Sequence, residues 1–190
     1  MRRAKHGHLL MCVVVLCSAA LLSGCTVFLD TELPRSIKTR PDPRLIGRWV
    51  LEDKDGPVIV EFARARNGLT NLSLETGNPS LDRNPIFSLT TTRINGRNFM
   101  IVKVVAGPER IRSFQLSRYE IVGKKLTIWY LNLEKLKTAV QDGKLKGEMG
   151  MGMLAGVTVK DRWANIASFL KFPDSDEYFL RARELTRTAH

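Results

Sequence analysis

Three methionines alternate with glycine in Met149-Gly150-Met151-Gly152-Met153. On an extended strand the three thioethers fall on one face, and soft sulfur ligands select Cu(I). Such sites commonly recruit Cys or His as well, and none stands nearby. The same spacing also serves methionines that fill an irregular apolar gap beside close-packed glycine backbone, and this packing role fits better. Two acid clusters, Asp174, Asp176, Glu177 and Glu52, Asp53, Asp55, have the residue type for carboxylate-assisted hydrolysis. Both adjoin turn-forming residues and neither is accompanied by a base or nucleophile, so both read as solvated loops. Arg110 and Arg112, after Gly107-Pro108, could present a fork to phosphate or carboxylate, but a rim of solvated cations is the better reading. Gly150-Met151-Gly152 followed by Gly156 has neither the spacing nor the setting of a dinucleotide fingerprint.

Cysteine and histidine are placed where they cannot form a site. His6, His8, Cys12 and Cys17 lie within the first 17 residues, leaving Cys25 and His190 for the rest of the 190-residue chain. The first 17 residues look disposable. Met1-Arg2-Arg3-Ala4-Lys5 carries three cations, and Leu9 to Leu22 is apolar except for Ser18. A basic head and a 14-residue apolar run describe a secretory signal, too short for the ~20 residues of a membrane-spanning helix. A structural zinc cluster, an internal disulfide framework, and Ser-His-Asp or Cys-His catalysis are thereby excluded from the mature chain.

The run ends in Leu22-Ser23-Gly24-Cys25, which resembles the lipobox of bacterial lipoproteins. The resemblance implies that the Cys25 thiol takes a diacylglyceryl group, that cleavage falls between Gly24 and Cys25, and that residues 1–24 are a signal peptide. The small Ser23 and Gly24 side chains suit a narrow peptidase pocket. Arg2-Arg3 lacks the flanking residues of a twin-arginine signal, so ordinary secretion is expected. Two or three acyl chains would anchor the chain stably, each buried methylene contributing about 0.8 kcal/mol. In lipoproteins an Asp after the Cys retains the protein in the inner membrane. Here Thr26 follows, which implies the outer membrane, facing the periplasm.

Apolar residues make up 44% and charged residues 26% of the chain, the balance of a globular protein. Formal charge is +11. Removing Arg2, Arg3 and Lys5, with no acid among them, leaves +8. Export and scattered rather than clustered cations argue against nucleic acid as a partner. Residues 25–43, with Pro34, Pro41 and Pro43 and several cations, read as a lipidated flexible tether. The 18 residues from 26 to 43 would reach about 55–60 Å when extended.

From residue 44 to 190 the chain reads as one mainly β domain with some helix. Asn67-Gly68 and Asn95-Gly96 are hairpin signals, joining residues 58–64 to 69–75 and 86–92 to 99–105. Val122-Gly123-Lys124 joins 113–121 to 126–131. With Arg48–Glu52 this makes about seven strands in a meander. Leu133, Leu136 and Val140 then recur at helical spacing, with Asn132 as N-cap and Gly143 as stop. A second short helix is expected over Asp161 to Leu170, with Asp161 as N-cap, one or two strands between Lys144 and Lys160, and a last strand over Glu177 to Arg183.

Leu45-Ile46-Gly47-Arg48-Trp49 carries the Gly-x-Trp that opens the first strand of lipocalins and of lipocalin-like bacterial lipoproteins. The block from Tyr119 to Leu131, with the helix after it, looks like small exported bacterial proteins of the same type. The resemblance implies an antiparallel up-and-down β-barrel, with Trp49 packed across its closed end. The two short helices in the C-terminal half depart from it, since lipocalins usually place one long helix after the barrel. Trp129 and Trp163 read as core residues. The lipocalin disulfide is absent and lipocalin ligands do not transfer. The expectation is a non-enzymatic, membrane-anchored envelope module without cofactor or metal. It would bind an apolar or amphipathic small molecule or an envelope protein. The alternative is a structural or assembly factor with a filled barrel, and a carboxylate-dependent hydrolase ranks behind both.

Overall fold

A computed structural model describes residues 27–31, 42–53, 56–65, 70–75, 87–104, 114–150, 156–171 and 173–188. The signal segment with Gly24 and Cys25, the Asn67-Gly68 turn, Asp55, Arg110, Arg112, Met151 and Met153 lie outside these residues, as does the side chain of Asp174.

Seven strands follow one another as a meander: β2 (Gly47–Asp53), β3 (Gly56–Arg64), β4 (Thr70–Glu75), β5 (Phe87–Ile94), β6 (Arg97–Val104), β7 (Gln115–Val122) and β8 (Lys125–Leu131). An eighth, β11 (Phe179–Arg187), pairs antiparallel with both β8 and β2 and closes the barrel in the order β11-β2-β3-β4-β5-β6-β7-β8. This is the expected antiparallel up-and-down barrel of lipocalin-like type, with two short helices in its C-terminal half. Asn95-Gly96 makes the β5–β6 turn with φ of 47° and 79°. Positive φ at both central residues is what a tight two-residue hairpin turn demands, and Asn-Gly meets that demand at least strain.

One side of the barrel is buried on both faces. In β6, Met100 points into the barrel core while Phe99 and Ile101 belong to a second core outside it. The run Phe99-Met100-Ile101-Val102 is therefore apolar on both faces, unlike β4, where Leu74 is buried and its neighbours are partly exposed. What covers the outer face comes from the long excursion between β8 and β11. Helix α1 (Leu133–Gln141) is capped by the Asn132 side chain, which accepts from the Glu134 and Lys135 amides at 3.1 and 3.3 Å. It buries Leu133, Leu136 and Ala139. Strands β9 (Gly147–Met149) and β10 (Val157–Val159) then pair antiparallel. Helix α2 (Trp163–Phe169) and a 3-10 helix (Pro173–Tyr178) complete the layer. Each Leu, Ile or Phe buried there contributes roughly 1.5–3 kcal/mol relative to exposure.

The structure revises several sequence-based expectations. Val27–Leu29, placed in the flexible tether, forms strand β1, which pairs parallel with β10 and buries Val27 and Leu29 in the outer core. Its Val-Phe-Leu run is apolar enough to repay ordering, and the outer face of β7 needs cover. Helix α2 begins after Arg162, which makes no side-chain cap. The Asp161 carboxylate instead accepts from the Lys146 amide at 3.0 Å and from the Asn165 side chain at 2.7 Å, tying the start of β9 to the start of α2. The last strand runs Phe179–Arg187 rather than Glu177–Arg183. A 3-10 helix takes up Glu177 and Tyr178, and the barrel seam carries the strand on to Arg187.

Candidate functional site

The barrel has a sealed end and an end with a small hollow. At the sealed end Trp49 and Leu45 are fully buried, and the indole N–H donates to the Leu45 carbonyl at 2.8 Å. Gly47, two residues before Trp49, has φ of 130°, a backbone conformation open to glycine, which lets the chain bend under the barrel. The Arg187 guanidinium lies 4.7 Å from the Trp49 ring centre and closes the floor from below. The Tyr119 hydroxyl donates to Asp42 at 2.9 Å, and Arg44 holds the same carboxylate at 2.8 Å. Burial works against charge on Asp42. The bonds from Arg44 and Tyr119 outweigh it and hold that carboxyl below the usual range. These contacts stitch the incoming chain across the barrel floor.

Towards the other end lies a cavity of about 60 Å³, lined mainly by apolar side chains, Phe62, Phe87, Met100 and Leu185 among them, with Gln115 and Tyr130 as polar neighbours. Small-molecule sites run from about 300 to 1,000 Å³. Beneath the hollow Leu89, Leu126 and Trp49, at 0% exposure, fill the interior. Burial pushes the Tyr130 phenol up to about 12, offset in part by the charge of Arg183. Tyr130 is therefore a neutral hydroxyl at physiological pH.

A second concavity, about 540 Å³ and open to solvent, lies outside the barrel between the end of α1, α2 and the 3-10 helix. Lys144, Asn165, Ser168 and Glu177 line it with Phe169 and Tyr178, whose rings meet edge-on at 4.5 Å.

The structure does not gather the sequence-derived acids into one site. Asp176 accepts from Arg97 and Arg118, and Glu177 pairs with Lys135 at 3.0 Å. Asp53 lies 3.9 Å from Arg183, and Glu52 is exposed on β2. The carboxylates thus fasten the 3-10 helix and the barrel seam. Met149 ends β9 at 37% exposure. Among the described residues no group of three His, Cys, Asp or Glu could hold a metal, and no helix is long and apolar enough to cross a membrane. Trp129 lies on the outer face under Arg118, and Trp163 opens α2 with its ring in the outer core.

Sequence reasoning missed the cluster that joins the two layers. The Arg118 guanidinium lies over Trp129 at 4.2 Å and near Phe179 at 5.8 Å. Arg97 donates to the buried Ser175 hydroxyl at 2.9 Å. Arg118 stands at an outward position of a strand, two residues after Leu116, and that is the one local hint.

Barrel, sealed floor and helical outer layer together define a lipocalin-like fold whose interior, among the described residues, is largely filled by side chains. No family model, no curated protein and no solved structure matches the chain.

Proposed function

We propose that this chain is a non-enzymatic lipoprotein of the bacterial cell envelope, anchored through acyl chains on Cys25. It faces the periplasm from the outer membrane and acts through protein contacts on its outside, as a structural or assembly component. The observation that carries this reading is how little space the described barrel residues leave between them. A hollow of about 60 Å³ is well below the size of an ordinary small-molecule site, which favours recognition on outer surfaces. Of the acids that would serve a hydrolase, Asp176 is engaged with Arg97 and Arg118, and Glu177 with Lys135. The lipobox-like Leu22-Ser23-Gly24-Cys25 supports the anchor.

A second reading is a binder of a small apolar group. Its support is the apolar lining of the hollow beside Gln115 and Tyr130.

Native mass spectrometry of the mature protein, extracted in mild detergent, tests both. A chain beginning at Cys25 with added acyl mass, accompanied by a protein partner, is the expected result. A stoichiometric small molecule released on unfolding would favour the second reading. Continued membrane association of a Cys25→Ser variant in cell fractions would overturn the anchor.

A further inference from the structure

We propose that the end of the small sheet bearing Val27, Val157 and Met149 rests on the lipid surface, so that the domain is seated on the bilayer rather than suspended from it. The inference deepens the proposed function and rests on acylation of Cys25.

The register places three residues side by side. Val27 pairs with Val157 in parallel, and Val157 pairs with Met149 antiparallel. Cys25 stands two residues before Val27, which is at most about 7 Å of chain. Acyl chains on that sulfur would hold this end of the sheet in the headgroup zone. The long stretch of 10 residues from 32 to 41 does not separate lipid from fold, because it follows β1.

Strand β1 cannot swing away from the barrel. Leu29 and Phe114 exchange both backbone hydrogen bonds, at 2.8 and 3.0 Å, and the Asp30 amide donates to the Val159 carbonyl at 2.9 Å. Because the Leu29–Phe114 pairing is antiparallel, Val27 points along β7 towards the sealed Trp49 end.

The chemistry of this end fits hydrocarbon and headgroup rather than water. Met149 is one of few large apolar side chains left exposed among the described residues. The Gly150 amide donates to the Gly156 carbonyl at 2.8 Å, closing the connection beyond it. From Met149 to Val159 the sequence carries no charge. Charged groups collect at the opposite end, where Lys146, Lys160 and Asp161 stand and the Lys160 amide donates to the Lys146 carbonyl. The charge nearest this end, Glu148, is paired with Lys160 at 2.7 Å. An end whose nearest carboxylate is so paired, beside the acyl chains, with the lysines at the other end of the sheet, is the polarity of a surface-seated protein.

The test uses the full lipidated protein, whose Cys25 sulfur is a thioether and does not react with maleimide. Met149→Cys and Leu180→Cys are each labelled with a polarity-sensitive fluorophore. Leu180 is exposed and pairs with Tyr130 near the opposite end of the barrel. Both are reconstituted in phosphatidylethanolamine–phosphatidylglycerol vesicles carrying nitroxide-labelled acyl chains. Expected are a blue-shifted emission at Met149 and quenching several-fold stronger than at Leu180. Weak quenching at both sites, with the protein still floating with the vesicles, overturns the seating and leaves the anchor standing, as does stronger quenching at Leu180. Failure of the unsubstituted protein to float overturns the anchor and the seating together.

Discussion

The Arg118 guanidinium lies 4.2 Å from the centre of the Trp129 ring while it pairs with Asp176, 58 residues further on. Arg118 and Trp129 face each other across the β7–β8 ladder, and Asp176 belongs to the 3-10 helix laid over them. One cation thus joins the barrel wall to its outer layer. Arg118→Ala should lower stability by about 1–2 kcal/mol, through loss of the stacked cation and of one charge-assisted bond. Arg118→Lys should fall between, since a lysine keeps the charge and loses the planar stack. Urea midpoints of the three proteins read the order. An Arg118→Ala midpoint equal to the parent's would remove this contact from the account.

Asp161 predicts the acid limb of stability. Its burial disfavours charge, but bonds from the Lys146 amide, the Asn165 side chain and the Arg162 amide outweigh that, and its carboxyl is held below 3.8. A carboxyl depressed in the folded state supplies stability that is complete above the unfolded value and is lost as pH falls through the folded one. Unfolding midpoints should therefore drop as pH falls below about 4, and Asp161→Asn should flatten that dependence. A pH profile unchanged by the substitution would contradict the assignment.

Gly147 tests the fit of α1 against the small sheet. A Cβ added there would meet the Thr158 carbonyl at 2.8 Å and Val140 Cγ2 at 3.0 Å. Backbone on one side and a packed methyl on the other leave little freedom to shift. Gly147→Ala should cost about 1–3 kcal/mol, although alanine is the better residue in most ordered positions. A calorimetric melting temperature at or above that of the parent would show that the two elements can part without loss.

The hollow in the barrel predicts two opposite effects. Val60 lines it at 3% exposure, so Val60→Ile should fill space and raise stability by up to about 0.8 kcal/mol. Tyr130 stays protonated up to about 12. A phenol raised above its ordinary 10.0 supplies stability that is present below that value and is lost as pH rises through about 12. Tyr130→Phe should remove this part of the alkaline loss. Thermal melts across the alkaline range, beside the phenolate absorbance of each protein, decide it.

What could be read in advance was local. Asn95-Gly96 marked its hairpin because two positive φ angles are needed there and few residues take them readily. Asn132 marked the start of α1 because a short amide side chain can reach two free backbone N–H groups. Alternation in Leu72-Ser73-Leu74 marked a strand with one wet face, and Gly47-Arg48-Trp49 marked where the barrel opens. Asp161 shows the limit of such reading. It has the residue type of an N-cap, yet its carboxylate reaches the Lys146 amide, 15 residues back, at the start of β9.

By itself, then, the amino-acid order determined the strands, the tight turns and the cap of the first helix, since each depends on backbone preferences within a few residues. Only tertiary structure decided that β11 closes the barrel against β8 and β2, that Val27–Leu29 joins β10, and that Asp176 serves Arg97 and Arg118. Those partners lie tens of residues apart. Which of them meet depends on which apolar faces still need cover once the barrel has formed, and on whether its interior leaves a hollow. Side-chain volumes packed from eight strands at once set that, and no short window of sequence contains it.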